Sequence, residues 1–237
     1  MNRSQVHASP LYAGPHVRAL GSGPALVVPL GEPHDVVSWA VVNGGRRHAE
    51  HVVWREVRIA ELGPRVDADR LMRSTLAELG LPDAVGLLTA RDIRTFEEEV
   101  VERRGVRARC IATVGLGNVL AAGDPAVTAS GPKTTIGTIN LVCTVSVGLA
   151  EEALLEASAL ATEAKAAAMM TSGCHSPLSG RLATGTGTDC VVIAAPVRER
   201  GERFAGKHTP CGSAIGGSVF GAVERGVARW LRENRAR

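Results

Sequence analysis

The segment "TIGTINLVCTVSVGLAEEALLEASALATEAKAAAMMTSG", residues 135–173, places one clear strand directly before one long helix. In its first part, 135–149, apolar and polar residues alternate as they do in a β-strand with two different faces. The apolar face carries Ile139, Leu141, Cys143, Val145 and Val147, and the polar face carries Thr138, Asn140, Thr144 and Ser146. The second part, 150–173, predicts a helix that ends at Gly173. Beyond Glu156 it is almost wholly small and apolar, so we expect it to be buried on most sides.

Other strands precede this segment, and helices lie on both sides of it. Apolar, β-prone runs predict strands over 25–30, 35–42, 51–59, 84–90 and 107–116, with "NGG" (43–45) as a turn. Capping and stop residues predict helices over 67–80, with Asp67 as N-cap, and over 209–232, with Thr209 as N-cap and Pro210 following it. The first half lacks the strand–helix alternation of a doubly wound sheet. We therefore predict an α/β or α+β fold: a single compact domain, 1–237, with a mixed β-sheet of about seven to eight strands packed with three main helices.

Composition limits the classes of function. The formal net charge is only +3, and aromatic residues make up 3% of the chain. The sequence has no basic cluster interleaved with aromatic residues, so neither nucleic acid nor a membrane surface is the expected partner. The N-terminus has no apolar signal segment, which favours a cytoplasmic location. Five cysteines without CxxC spacing predict reduced thiols that serve as small core residues. We expect an ordered core over about 24–232, with tails that fray.

A Gly/Thr-rich stretch, "ATGTGTDCVVIAAP" (183–196), raises the question of a phosphate site. A phosphate cradle needs its glycines to follow a strand and to open a helix, whereas these glycines lead into a strand. In extended backbone the threonines share one face, and the glycines with Asp189 share the other. The stretch is then either a solvated strand entry or a row of hydroxyls where a ligand comes close to the backbone. We expect Thr186 and Thr188 to line the same cleft as Asn140.

Charged and amide side chains stand out in four motifs. Glu163 and Lys165 lie in the apolar helix, where an unpaired charge is costly, so each needs a partner or a ligand. His208 directly precedes a helix N-terminus and follows Lys207, and both neighbours favour a neutral imidazole that could accept a proton. The remaining candidates lie in turns or glycine-rich loops: Asn43, Asn118 and Asp124. Each could contact a ligand, or it could serve only to hold its turn. The spacing of His, Cys, Asp and Glu predicts no metal site.

Six motifs in order resemble the adenosylcobinamide amidohydrolase family. They are "AVVNGG", "TVGLGNVLAAGDP", "GTINLVCTVSVGLAEEALLEA", "ATEAKAAAM", "ATGTGTDCVVIA" and "FAGKHTPCGSAIGGSVF", and together they cover roughly residues 35–225. The resemblance implies hydrolysis of the amide that joins the aminopropanol arm to the corrin ring system of adenosylcobinamide. The product would be adenosylcobyric acid for cobalamin salvage. The expected partner is then a small-molecule corrinoid, and we expect no obligatory cofactor. A homo-oligomer is possible.

Amide hydrolysis needs an activated nucleophile, a stabilised oxyanion and a proton for the leaving amine. We assign the base to Asp189 or Glu163, the oxyanion stabiliser to Lys165 or Lys207, and the proton donor to His208. Lys207 and His208 are expected at the mouth of the cleft. A threonine nucleophile, Thr186 or Thr188, is the rival mechanism. Substrate contacts are assigned to Asn43, Asn118, Asp124, Asn140, Thr186 and Thr188.

The alternative function is a corrinoid-binding module without turnover. It is motivated by three departures from the pattern expected of the family. Phe204 stands where tyrosine is expected, Trp54 stands where asparagine is usual after "HVV", and Pro210-Cys211 follows "KHT". A lost phenol or amide would change the contacts to the ligand.

Overall fold

The computed structural model describes residues 14–58, 61, 67–126 and 137–235. Its strands are β1 (His16–Arg18), β2 (Ala25–Ser38), β3 (Gly45–Glu56), β4 (Val85–Thr89), β5 (Glu97–Arg103), β6 (Val106–Val114), β7 (Val119–Leu120), β8 (Ile139–Val145), β9 (Gly185–Thr186) and β10 (Cys190–Pro196). The helices of this part of the chain are α1 (Ala68–Leu79), α2 (Glu151–Thr171) and α3 (Pro210–Arg235). None of these helices is long and apolar enough to cross a bilayer.

Eight strands form one mixed sheet, in the order β4-β3-β2-β10-β8-β6-β5, with β1 paired to β2. The pairs β8–β10 and β3–β4 are parallel, and the other pairs of this sheet are antiparallel. The short strands β7 and β9 form a separate antiparallel pair. The predicted α/β domain with a mixed sheet of seven to eight strands and three main helices is therefore confirmed.

The predicted helix caps are confirmed at the level of single hydrogen bonds. Asp67 accepts the Arg70 backbone N–H at 3.1 Å, and Gly80 ends α1 in the left-handed conformation, with φ 71°. Thr209 accepts the Gly212 backbone N–H at 2.9 Å through its hydroxyl. These contacts join residues only three positions apart, so the local sequence is sufficient to specify them.

Several strand predictions need correction. Segments 25–30 and 35–42 are not separate strands, because β2 runs from Ala25 to Ser38 across an irregularity between Pro29 and His34, and both halves pair with β3. Residues 39–42 leave the strand and form a tight turn before Gly44, where a Cβ would lie 2.7 Å from the Ala40 carbonyl oxygen. The acidic edge strand β5 and the short strands β1, β7 and β9 are missing from the predicted set. β8 ends at Val145, so residues 146–149 of the predicted strand 135–149 lie beyond it. Residue 59 of the predicted strand 51–59, and residues 135 and 136, lie outside the described residues.

The two faces of the sheet have different neighbours. Leu141 and Cys143 of β8 point to the face covered by α2 and α3, whereas Val142 packs in a second cluster with Trp54 and Leu87. That second cluster joins strands from both halves of the sheet, so the sheet curls and brings β4 over β8. The Asn140 side-chain amide accordingly donates to the Leu88 carbonyl oxygen at 2.7 Å.

α2 is buried on one face only. Its buried residues recur at helical spacing, among them Ala153, Ala157, Ala161 and Ala168, and these small side chains let the helix pack closely on the sheet and on α3. The opposite face is in solvent, where Leu155 is 59% exposed. The prediction that the helix is buried on most sides is therefore wrong. The sequence shows that the helix is rich in small apolar residues, but it does not show that other elements pack against one face only.

Candidate active site

A pocket of about 420 Å³ lies at the open end of the curled sheet. The end of β4, the starts of β8 and β10, and the turn after β2 meet there. Its polar lining includes Thr89, Asn118, Thr138, Asn140, Thr188 and Asp189. We call this cavity the amide pocket, because carboxamide and hydroxyl groups dominate its polar lining. Such groups bind uncharged polar ligands through directed hydrogen bonds.

Asp189 and Lys165 form an ion pair at this site, although 24 residues separate them. Their side chains are only 7% and 9% exposed. The Asp189 carboxylate also accepts the Ile139 and Thr186 backbone N–H groups, each at 3.0 Å, and the Thr186 hydroxyl. Four donors therefore compensate the buried carboxylate, which satisfies the expectation that Lys165 needs a partner.

The Gly/Thr stretch is explained by this ion pair. A Cβ on Gly185 would lie 2.2 Å from Asp189 Oδ2 and 2.5 Å from Lys165 Nζ, so only glycine lets the backbone pass this close. The threonines have different uses: Thr184 accepts the Ala122 backbone N–H, Thr186 donates to Asp189, and Thr188 lines the amide pocket. Within the described residues, Thr188 shares the pocket with Asn140, and Thr186 does not line it.

A hydrogen-bond network fixes the floor of the amide pocket. The Thr138 hydroxyl lies 3.2 Å from Asn140 Oδ1 and 2.9 Å from the Thr188 carbonyl oxygen. The Thr188 hydroxyl donates to the Gly137 carbonyl oxygen at 3.2 Å. Asn118 differs, because its side-chain oxygen is buried and has no hydrogen-bond partner within the described part of the chain. A buried acceptor without a donor is costly, and the N–H of a bound amide would satisfy it.

The Cys190 thiol also lines the amide pocket, and burial raises its pKa to about 12. A thiol that stays protonated near neutral pH is a weak nucleophile. Burial likewise raises the pKa of Cys143 and Cys211 to about 12, in agreement with the prediction of structural thiols. Among residues 14–58, 61, 67–126 and 137–235, no three His, Cys, Asp or Glu side chains are grouped to hold a metal ion.

Three of the predicted catalytic residues lie elsewhere. Lys207 pairs with Glu163, and with His208 they line a second pocket of about 500 Å³ between α2 and the segment before α3. Glu163 and Lys165 are two positions apart, which places them about 200° apart around the helix. The Glu163 and Lys207 side chains are 59% and 62% exposed. The structure therefore brings Lys165 to Asp189 and separates both from the Lys207 group.

Two predicted substrate contacts, Asn43 and Asp124, are not among the residues that line the amide pocket. The Asn43 side-chain amide donates to the Pro82 and Ala84 carbonyl oxygens, each at 2.8 Å, and holds a turn in which Asn43 has φ 60°. Asp124 accepts the Ser176 hydroxyl at 2.5 Å, and this bond contributes most to holding the pKa of Asp124 well below its usual range. Both side chains therefore stabilise loops.

The sequence reasoning assigned no role to several residues of the amide pocket, among them Trp39 and Thr138. Trp39 fell inside a predicted strand and Thr138 on the polar face of another, so neither carried a signal of its own. All three departures lie away from the amide pocket: Trp54 is fully buried in the core, Phe204 lines the second pocket, and Pro210 and Cys211 begin α3.

The model of one protein family matches the chain over residues 9–235, nearly its whole length, and that family is described as adenosylcobinamide amidohydrolase. No curated protein matches the chain. The family match confirms the resemblance drawn from the six motifs, and it extends over both pockets.

Proposed function

The chain belongs to the adenosylcobinamide amidohydrolase family, and from this premise we propose that the amide pocket is where the amide bond is hydrolysed. The reaction attaches water across the bond between the aminopropanol nitrogen and the acyl carbon of the corrin side chain. Its products are adenosylcobyric acid and the free amine. The observation that carries the proposal is the convergence of carboxamides, hydroxyls and one carboxylate on a single cavity.

The uncharged side chains fit an amide substrate. An amide offers one N–H donor and one carbonyl acceptor, so its site needs an acceptor and a donor at fixed positions. The unpaired Asn118 oxygen is suited to the substrate N–H, and the Thr188 hydroxyl can donate to the substrate carbonyl oxygen once it turns away from the Gly137 carbonyl oxygen. Because Asn140 is held by Leu88 and Thr138, the pocket keeps its shape without substrate.

Asp189 is the proposed base. It takes a proton from the attacking water while the water oxygen bonds to the acyl carbon, and that proton then passes to the leaving nitrogen as the C–N bond breaks. Lys165 keeps the Asp189 side chain in place and balances its negative charge before the proton is taken up and after it is passed on. In the rival route the hydroxyl of Thr186, which donates to Asp189, or of Thr188 attacks the acyl carbon. Its proton passes through Asp189 to the leaving nitrogen as the C–N bond breaks, and water then cleaves the resulting ester.

The central experiment measures adenosylcobyric acid formed from adenosylcobinamide by purified variants. Asp189→Asn should lower kcat by about 10²–10⁴-fold, the usual contribution of a general base. Asp69→Asn is the matched control, because that exposed carboxylate pairs with Arg73 on α1 and does not line the amide pocket. Since losing one member of a buried pair destabilises a fold, the double variant Asp189→Asn/Lys165→Met tests activity with both charges removed.

The same assay decides between the two pockets. If His208→Ala or Glu163→Gln abolishes turnover and Asp189→Asn retains it, the reaction takes place beside Lys207 and the proposal is wrong. Thr186→Val should keep substantial turnover if water attacks directly. Complete loss in Thr186→Val, with an acyl product captured by hydroxylamine in the wild type, would establish the threonine route instead. Binding of adenosylcobinamide without any product would indicate a binding module, which nothing in the comparisons favours.

A further inference from the structure

The most exposed aromatic residue at the amide pocket is Trp39, which lies in the turn after β2. Its side chain is 52% exposed, and its neighbour Val41 on the same pocket is 43% exposed. By contrast, Trp54 is fully buried in the core. Two large apolar side chains held side by side in solvent at the entrance of a polar cavity are typical of a ligand contact.

Trp39 is exposed, yet its ring is not free to move. The indole N–H donates to the Asp189 carbonyl oxygen at 2.6 Å, between residues 150 positions apart. The ring is therefore fixed before any ligand arrives, and a fixed aromatic surface binds with little loss of side-chain entropy.

The size of the amide pocket limits what can enter it. A cavity of about 420 Å³ lies near the lower end of the range that holds one drug-sized ligand. A corrinoid is a broad, flat macrocycle with amide arms, so only an arm can occupy such a cavity. The ring that carries the arm must then lie at the entrance, where Trp39 and Val41 present their apolar surfaces.

We propose that Trp39 is a specificity-determining residue that packs its indole against the flat face of the corrin ring system while the amide pocket holds the arm. This inference rests on the proposed function of the amide pocket. Planar conjugated systems stack favourably on tryptophan, and neither Asn118 nor Thr188 can supply that contact. Trp39 thus selects substrates by their ring, whereas the pocket selects them by their arm.

The test separates the aromatic surface of Trp39 from its hydrogen bond. Trp39→Ala should raise KM and the Kd of adenosylcobinamide about tenfold, equivalent to about 1.4 kcal/mol, and should leave kcat within about twofold. Trp39→Phe keeps a ring but loses the N–H donor to Asp189, so it should retain most of the affinity. Leu155→Ala, at an exposed apolar position on α2, is the matched control and should behave as wild type.

Two outcomes would overturn the role of Trp39. If Trp39→Ala and Trp39→Phe both lower kcat and leave KM unchanged, the tryptophan only positions the chain at Asp189. Equilibrium dialysis with cobinamide that lacks the adenosyl group gives the second readout. The Trp39→Ala variant should lose affinity for this probe to the same extent, and a loss confined to the adenosylated ligand would mean that the indole contacts adenine instead of the ring.

Failure of this inference can be distinguished from failure of the proposed function. If Asp189→Asn is inactive and Trp39→Ala binds both probes as wild type does, the amide pocket is the active site but Trp39 does not contact the ring. If Asp189→Asn stays fully active and Trp39→Ala also binds normally, the amide pocket is not the active site and both proposals fail.

Discussion

Replacing Gly185 by alanine should disturb the Lys165–Asp189 pair directly. The added Cβ would lie 2.2 Å from Asp189 Oδ2 and 2.5 Å from Lys165 Nζ, whereas ordinary contacts begin near 3.4 Å. The pair must therefore shift by about 1 Å. Its other partners, the backbone N–H groups of residues 139 and 186, belong to the strands and cannot follow. The φ of Gly185 is not in the left-handed region, so the cost comes from this contact and not from the backbone.

Overpacking of this kind costs about 1–3 kcal/mol. In a chain of 237 residues each kcal/mol lowers Tm by about 2–4 °C, so Gly185→Ala should unfold about 2–12 °C below wild type. Thermal unfolding followed by circular dichroism measures the shift, and the rate of adenosylcobinamide hydrolysis should fall at least about tenfold because the proposed base is displaced.

Gly187→Ala is the matched control in the same stretch. Its Cβ would come no closer than 3.4 Å to Asn118 Nδ2 and Leu120 Cδ1, so its stability should stay within about 0.5 kcal/mol of wild type. If Gly185→Ala and Gly187→Ala have the same Tm and the same activity, the close approach of the backbone to the ion pair is not what requires glycine at residue 185.

Three further predictions concern other parts of the molecule. A Cβ added at Gly216 in α3 would meet nothing within 4 Å, and alanine is a better helix former than glycine. Gly216→Ala should therefore raise the free energy of unfolding by about 0.5–1 kcal/mol in urea titrations, and a decrease would contradict this reasoning. The folded-state pKa of Asp124 is lowered, chiefly by the Ser176 hydroxyl. The ionised carboxylate therefore stabilises the fold fully at pH values above its unfolded pKa of about 4, and this stabilisation is lost as the pH falls further. Urea unfolding of wild type and Asp124→Asn should therefore differ most near about pH 6 and converge below about pH 4, and a constant difference would exclude this linkage. Among the five thiols only Cys174 is partly exposed, so native protein should react rapidly with one equivalent of a thiol reagent, and Cys174→Ser should remove that fast phase.

The sequence by itself determined the local elements and the family. The caps at Asp67 and Thr209 and the alternation in β8 depend on residues within a few positions of each other, so periodicity and capping rules were sufficient. The motifs identified the reaction. Of the two threonines expected to line the same cleft as Asn140, Thr188 does and Thr186 does not.

Only the tertiary structure decided which candidates share a pocket. Lys165 and Asp189 are 24 residues apart, Asn140 and Leu88 are 52 apart, and Trp39 and Asp189 are 150 apart. These contacts depend on how the sheet curls and on which face of α2 is buried. Both features result from many packing interactions between residues distant in the chain. The predicted helix already placed Glu163 and Lys165 about 200° apart, but only the packing shows that Lys165 lies on the face that reaches Asp189.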